Sequence, residues 1–397
     1  MTGRLRKAIL VLGMHRSGTS ALTRLIGYLG AAMPADAIKP HADNVRGFWE
    51  SAGIVKADDA LLRTARSSWF DPRPLDLSRV DGAVMRSCKD RLWEAIETAF
   101  GEAPLFAIKD PRQCRFVPLV VETLAEHEVD ACAVLMFRSA EASAQSLERR
   151  DGTTPAYAQL LWLRHTLDAE RSTRALSRVL VSYDDMLRDW RPTATRLLPL
   201  LGREALPDVG VMAAIDAFID PALRHDGGSG PPQADPLLAD LVADVTETLR
   251  LMIVQDDATA RRELDAAHDR LEAARWLVEE IVHDELRHRR VQAQQLKAAD
   301  EAGVAPLLPP SSLPDRPAPA PVSEMDLAEV VATIRDSGLF DEAWYAATYP
   351  DAKASGLDPI EHYVMIGAAQ GLNPHPLFDT VFYAQQMARR IALEGEP

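Results

Sequence analysis

Cysteine is scarce in this chain. Three occur, Cys88, Cys114 and Cys132. Their number is odd and no spacing among them suits a metal, so they read as reduced, mostly buried residues of a cytoplasmic protein. No apolar run is long enough to span a membrane. Arg4, Arg6 and Lys7 ahead of Ile9 imitate a leader peptide, but the apolar run after them is too short. Basic residues are outnumbered, 44 against 59, and the formal net charge of −15 disfavours a general nucleic-acid binder. Any anionic ligand must therefore be held by local positive potential. At 397 residues the chain exceeds one ordinary core.

One further absence is more specific. Ile9-Leu10-Val11-Leu12 is a short apolar run that ends in Gly13; Met14-His15-Arg16-Ser17-Gly18 follows, and Thr19-Ser20 open a helical pattern of Leu22, Leu25, Ile26 and Leu29. A strand, a glycine-bounded loop and a helix start form a cradle for phosphate, because first-turn N–H groups are unpaired and the helix dipole favours an anion. Gly13 and Gly18 have the spacing of a nucleoside-triphosphate loop, yet Thr19 stands where that loop carries lysine. The cation is Arg16, inside the loop. A missing lysine argues for an anionic ligand without a γ-phosphate, and the permanently charged, planar arginine suits an oxyanion.

The segment His15-Arg16-Ser17-Gly18-Thr19-Ser20 resembles the 5′-phosphosulfate loop of sulfotransferases, with His15 in place of the usual proline. The resemblance implies 3′-phosphoadenosine 5′-phosphosulfate (PAPS) as co-substrate and no metal. His15, Arg16, Ser17, Gly18, Thr19 and Ser20 would then hold the 5′ end. Phe137-Arg138 closes another apolar run, and Ser146 lies eight residues on; the pair is similar to the family's 3′-phosphate site, with Ser143 as a competitor for the serine role. Tyr183-Asp184-Asp185-Met186-Leu187 resembles an element whose tyrosine lies near the nucleotide. For the base, Glu50 in Gly47-Phe48-Trp49-Glu50 comes first, because a glutamate in this part of the chain serves several carbohydrate sulfotransferases and the adjacent rings could stack on a sugar. Asp110 in Lys109-Asp110-Pro111-Arg112 is the rival, with Lys109 stabilising the sulfonate and Arg112 meeting an acidic acceptor. Trp69, Phe70 and Trp162 could line an acceptor cleft, and Arg224-His225 could close over the nucleotide. Each residue also has a plainer use in a core, a helix start or a strand-end salt bridge.

Continuous apolar strands at 9–12, 105–108, 131–137 and 179–183 alternate with helical patterns near 54–62 and 81–99. That order predicts a three-layer α/β fold with a parallel sheet of P-loop type, its ligands at the carboxyl ends of the strands. The catalytic domain is expected over 1–230, ending at Gly-Gly-Ser-Gly-Pro-Pro. Residues 236–300 carry one long helical signal in which Leu264, Ala267, Leu271, Ala274, Val278 and Ile281 recur at three and four positions. A coiled coil that makes a homodimer, or a helical hairpin, is one reading, and an amphipathic helix folded back on the catalytic domain is the other. A proline-rich linker spans 301–322. The module over 323–397 repeats Leu-Phe-Asp-x-x-aromatic-Tyr at Leu339 and Leu377. It resembles one found on bacterial polysaccharide-biosynthesis proteins, which implies a glycan acceptor; His362 within it reads as structural. The expected reaction is sulfuryl transfer from PAPS to a hydroxyl. The alternatives are a P-loop kinase and a non-catalytic scaffold in glycan biosynthesis.

Overall fold

The computed structural model describes residues 6–39, 47–219, 235–301 and, further on, 330–332, 334–335, 340–349, 352, 355–368, 370 and 372–375. Contacts divide the chain into two units, Met1–Val282 and His283–Pro397. The expected linker, the second Leu-Phe-Asp copy and Arg224-His225 lie outside the described residues.

The first unit is built on four parallel strands in the order β2-β1-β3-β4. They are β1 (Arg6–Leu12), β2 (Leu105–Lys109), β3 (Val129–Phe137) and β4 (Arg178–Ser182). The α/β class expected from the apolar runs is the one observed. In register, Ile9 stands between Ala107 on β2 and Cys132 on β3. The pleat sends alternate residues to opposite faces. Ile9, Val11, Ala107, Cys132, Val134, Met136 and Val181 share one core with Leu22, Leu25 and Ile26 of α1 (Thr19–Tyr28) and with Trp190, Ala194 and Leu197 of α8 (Trp190–Leu201). The intervening Ala8, Leu10, Ile108, Ala133 and Leu135 are equally buried. Their side of the sheet is met by α4 (Val117–Glu126) and α6 (Pro155–Ser172). Both faces are covered, which is why these strands are apolar throughout rather than alternating.

Between β1 and β2 lie α2 (Ala52–Thr64) and α3 (Gly82–Phe100), close to the expected helical spans. Four further helices complete the series to residue 254: α5 (Ala140–Asp151), α7 (Tyr183–Arg188), α9 (Val209–Phe218) and α10 (Pro236–Val254). The single helical signal over 236–300 is in fact divided. α10 stops at Gln255, Asp257 caps α11 (Ala258–Ala273), and α12 (Arg275–Glu301) follows. The physical cause is local: Asp257 accepts from the N–H groups of Thr259 and Ala260 and so starts a new helix. α10 and α11 pair with each other and lie on α6 and β4. Leu264, Ala267, Leu271 and Ala274, expected as a seam for a partner, are covered within the chain. The first unit therefore runs past the expected boundary near 230. No described helix is long and apolar enough to cross a membrane.

In the second unit, Asp341 caps the helix Glu342–Thr348. Tyr345 is fully buried, and its hydroxyl meets His362 Nδ1 at 3.0 Å. Phe340, Tyr349 and Tyr363 pack around the Tyr345 ring. His362 is thus a member of a small aromatic core.

Candidate active site

The loop after β1 is shaped by two left-handed residues, Arg16 at φ 69° and Gly18 at φ 92°. The Ser17 N–H closes the turn on the Met14 carbonyl at 3.1 Å. A Cβ at Gly18 would collide with the Tyr183 ring, and one at Gly13 with the Met136 carbonyl. Both glycines are therefore required by close approach as well as by backbone shape. The Gly13 N–H donates to Cys114 Sγ at 3.2 Å, which anchors the loop to the chain beyond β2. Burial pushes that thiol up to about 12. Gly18 is the N-cap of α1; no side chain caps this helix and no acidic residue stands in its first turn. Ser17 Oγ is buried without a hydrogen-bond partner. An uncapped helix start with an orphaned hydroxyl beside it fits an anion.

A second cationic corner adjoins the loop. Arg138 follows β3 directly, and Ser139 caps α5. One turn on, Ser143 and Ser146 are both buried, Ser143 completely and with its hydroxyl unpartnered. Arg16 Nε donates to Ser146 Oγ at 2.9 Å. Arg138 Nη1 donates to the Arg16 carbonyl at 3.4 Å, and its guanidinium lies 4.9 Å from the centre of the Tyr183 ring. That ring in turn covers Gly18. Arg16, Gly18, Arg138, Ser146 and Tyr183 thus form one contiguous wall, built from the segments that follow β1, β3 and β4.

On the other side of the loop, Lys109 ends β2 and forms a buried ion pair with Glu50. Its Nζ also donates to Ser20 Oγ and to the Phe48 carbonyl, each at 3.3 Å. The two residues are 59 apart in sequence and meet against the loop. Trp49, between Phe48 and Glu50, is held at φ 58°, and Arg24 lies 4.7 Å from its ring centre. A left-handed tryptophan is strained by about 1–3 kcal/mol and sits where side chains must be aimed.

Asp110 stands differently. It is fully buried and caps the 3-10 turn Pro111–Arg115 through the Arg112 N–H at 2.9 Å. The same oxygen accepts from Arg112 Nη1 at 3.0 Å. Beside it lies Asp58, a second buried carboxyl that takes a 2.9 Å bond from Gln113. Burial raises both carboxyls, most strongly Asp58, and the neighbouring Asp110 charge adds to it. The rival base is thereby committed to holding a corner. Arg112 is spent on Asp59 at 2.6 Å as well as on Asp110.

His15 leans on Trp69, with ring centres 4.2 Å apart, and Arg150 lies 5.5 Å from the same indole. Burial, followed by the charges of Arg150 and Arg112, lowers the His15 imidazole well below its ordinary value, so it is neutral at pH 7. Trp162 does not line a cleft: it is 1% exposed, and its Nε1 donates to the Arg138 carbonyl at 2.9 Å. Sequence reading missed Asp58, Cys114, Arg150 and the use of Trp162. Only Cys114 carried a signal, as a small buried residue five positions after a strand end.

No protein-family model and no curated protein matches the chain. Among solved structures it is similar to the sulfotransferase domain of the olefin synthase of Synechococcus PCC 7002, at 20% identity and a TM-score of 0.39 over 62% of this chain and 97% of that one. It is also similar to the sulfotransferase domain of the curacin biosynthetic pathway, at 13% identity and a TM-score of 0.35 over 62% and 99%. Likenesses of this size carry no functional assignment, which rests on the site's own residues.

Proposed function

We propose that this protein is a PAPS-dependent sulfotransferase acting on a hydroxyl, with a saccharide as the preferred acceptor class. The observation that carries the reading is the contact between the two anion anchors: Arg16 reaches Ser146, and Arg138 reaches the Arg16 backbone. Anchors that share one wall suit a single ligand phosphorylated at both its 3′ and 5′ positions. Ser17, Thr19, Ser20 and the start of α1 would receive the 5′ end. Arg138 and Ser146 would receive the 3′-phosphate, with Ser143 beside them. PAPS needs no metal at this site and carries no γ-phosphate, in keeping with Thr19 at the lysine position.

In the proposed reaction the acceptor oxygen forms a bond to sulfur as the bond from sulfur to the bridging 5′-phosphate oxygen breaks, and the hydroxyl proton passes to Glu50. Arg16 stabilises the charge that builds on the leaving phosphate. Lys109 leaves its pairing with Glu50 to share the charge of the transferring group. General-base help of this kind is worth about 10²–10⁴ in rate, and positioned cations supply a comparable share. Trp49 and Trp69, on either side of the loop, offer ring faces for a sugar.

A kinase would instead bind ATP with magnesium. Calorimetric titration separates the two. Adenosine 3′,5′-bisphosphate (PAP) should bind in EDTA at least tenfold tighter than ATP–magnesium binds in its own buffer. The opposite order of affinities sinks the proposal.

A further inference from the structure

Resting on that reading, we infer that Trp162 is a positioning residue for the 3′-phosphate: its indole N–H fixes the backbone from which Arg138 reaches the ligand. β3 ends at Phe137 and α5 is capped by Ser139, so Arg138 occupies the single link between strand and helix. Its carbonyl has left the sheet ladder and cannot join the helix. A buried carbonyl in that position needs a donor from elsewhere. Trp162 supplies it from the middle of α6, at 2.9 Å, and is among the largest fully buried side chains of the chain.

Arg138 is then held at three points. Trp162 fixes its carbonyl from the protein interior, the Arg16 carbonyl accepts from its guanidinium, and the Tyr183 ring supports the guanidinium plane. The last two contacts belong to the anion-binding wall itself. Trp162 ties Arg138 to α6, away from that wall. α6 is itself clamped: Arg164 Nη1 meets Glu272 of α11 at 2.6 Å, and Arg178 on β4 joins Glu170 of α6 to Asp256 at 2.9 and 2.8 Å. Losing the indole N–H would leave the Arg138 carbonyl unpaired and let the strand–helix link shift. A displacement of well under a hydrogen-bond length is enough to weaken a charge-assisted contact to phosphate.

The test compares two probes, PAP and adenosine 5′-monophosphate (AMP), which differ by the 3′-phosphate alone. Wild-type protein should prefer PAP strongly. In Trp162→Phe the dissociation constant for PAP should rise three- to tenfold, the size of one neutral hydrogen bond, while that for AMP stays within twofold. Should the phenylalanine variant fail to fold, site-specific benzothienylalanine at position 162 keeps ring size and removes only the N–H; the same split is expected. Equal weakening of both probes, or no change in either, overturns the positioning role and leaves the proposed donor standing. A wild-type protein with no preference for PAP over AMP overturns the proposed donor and this role with it.

Discussion

Two neighbouring strands end in opposite ways. β1 runs into Gly18 and α1, a helix start with no capping side chain and no acid in its first turn. β2 runs into Asp110, a buried carboxylate that caps the next turn and is backed by a second carboxyl, Asp58. β4 follows the second pattern, with Ser182 as cap and Asp184 and Asp185 in the first turn of α7. Parallel strands deliver all these corners to the same edge of the sheet. What marks the β1 corner is therefore its missing cap; the β3 corner keeps a cap, Ser139, and carries the cation Arg138 instead. Local positive potential from Arg16, Arg138 and the open start of α1 is what reconciles the proposed anion binding with a net charge of −15.

The comparison can be broken most severely at the open corner. Arg16→Ala should cut sulfuryl transfer from PAPS by about 10²–10³-fold in kcat, measured by product formation at saturating donor. Glu50→Gln should come next, with a loss of about 10²-fold in turnover. Its PAP affinity should hold or improve, since Lys109 loses its carboxylate partner and is freed for anions; full turnover with intact PAP binding would remove Glu50 from the mechanism. Gly18→Ala should weaken PAP by about tenfold and lower the melting midpoint, because its backbone is left-handed and the Tyr183 ring fills the space.

The closed corner gives the smallest and most diagnostic effect. Asp58 is raised well above its ordinary range by burial and by Asp110. The folded state then holds a proton that the unfolded state releases from about pH 4 upward. Stability should fall as pH rises from there toward the raised value. Asp58→Asn should flatten that slope and raise the melting midpoint at neutral pH. A thermal scan across pH that finds parallel curves for wild type and variant would contradict the raised Asp58 carboxyl.

How much of this was legible in the chain depends on the distance over which each feature is encoded. The β1 loop is contiguous, so apolar run, glycines and hydroxyls announce it within a dozen letters. Arg138 and Ser146 could be paired because a strand end and the facing side of the next helix lie close in sequence. Glu50 and Lys109 were named separately, yet nothing in either segment encodes their ion pair; that contact exists because β2 lies beside β1. Trp162 looked like a cleft aromatic, since spacing reports a helical face and is silent about the acceptor waiting for its N–H. Asp257 could have been read: an aspartate two positions after Gln255, ahead of Ala258 and Thr259, is a helix start in the middle of an apparently unbroken pattern.

The ion pairs that pin α10 and α11 to α6 and β4 also decide how this chain can be divided. The glycine-rich stretch near 230 invites a cut, but the piece it would free carries the carboxylates that Arg164, Arg174 and Arg178 rely on. It also carries Leu238, Leu241 and Val245, all buried. Severing it would leave three arginines without their outer partners and an apolar flank open to solvent. A division that keeps those supports with the sheet therefore has to fall beyond α10 and α11, not at the glycine-rich stretch.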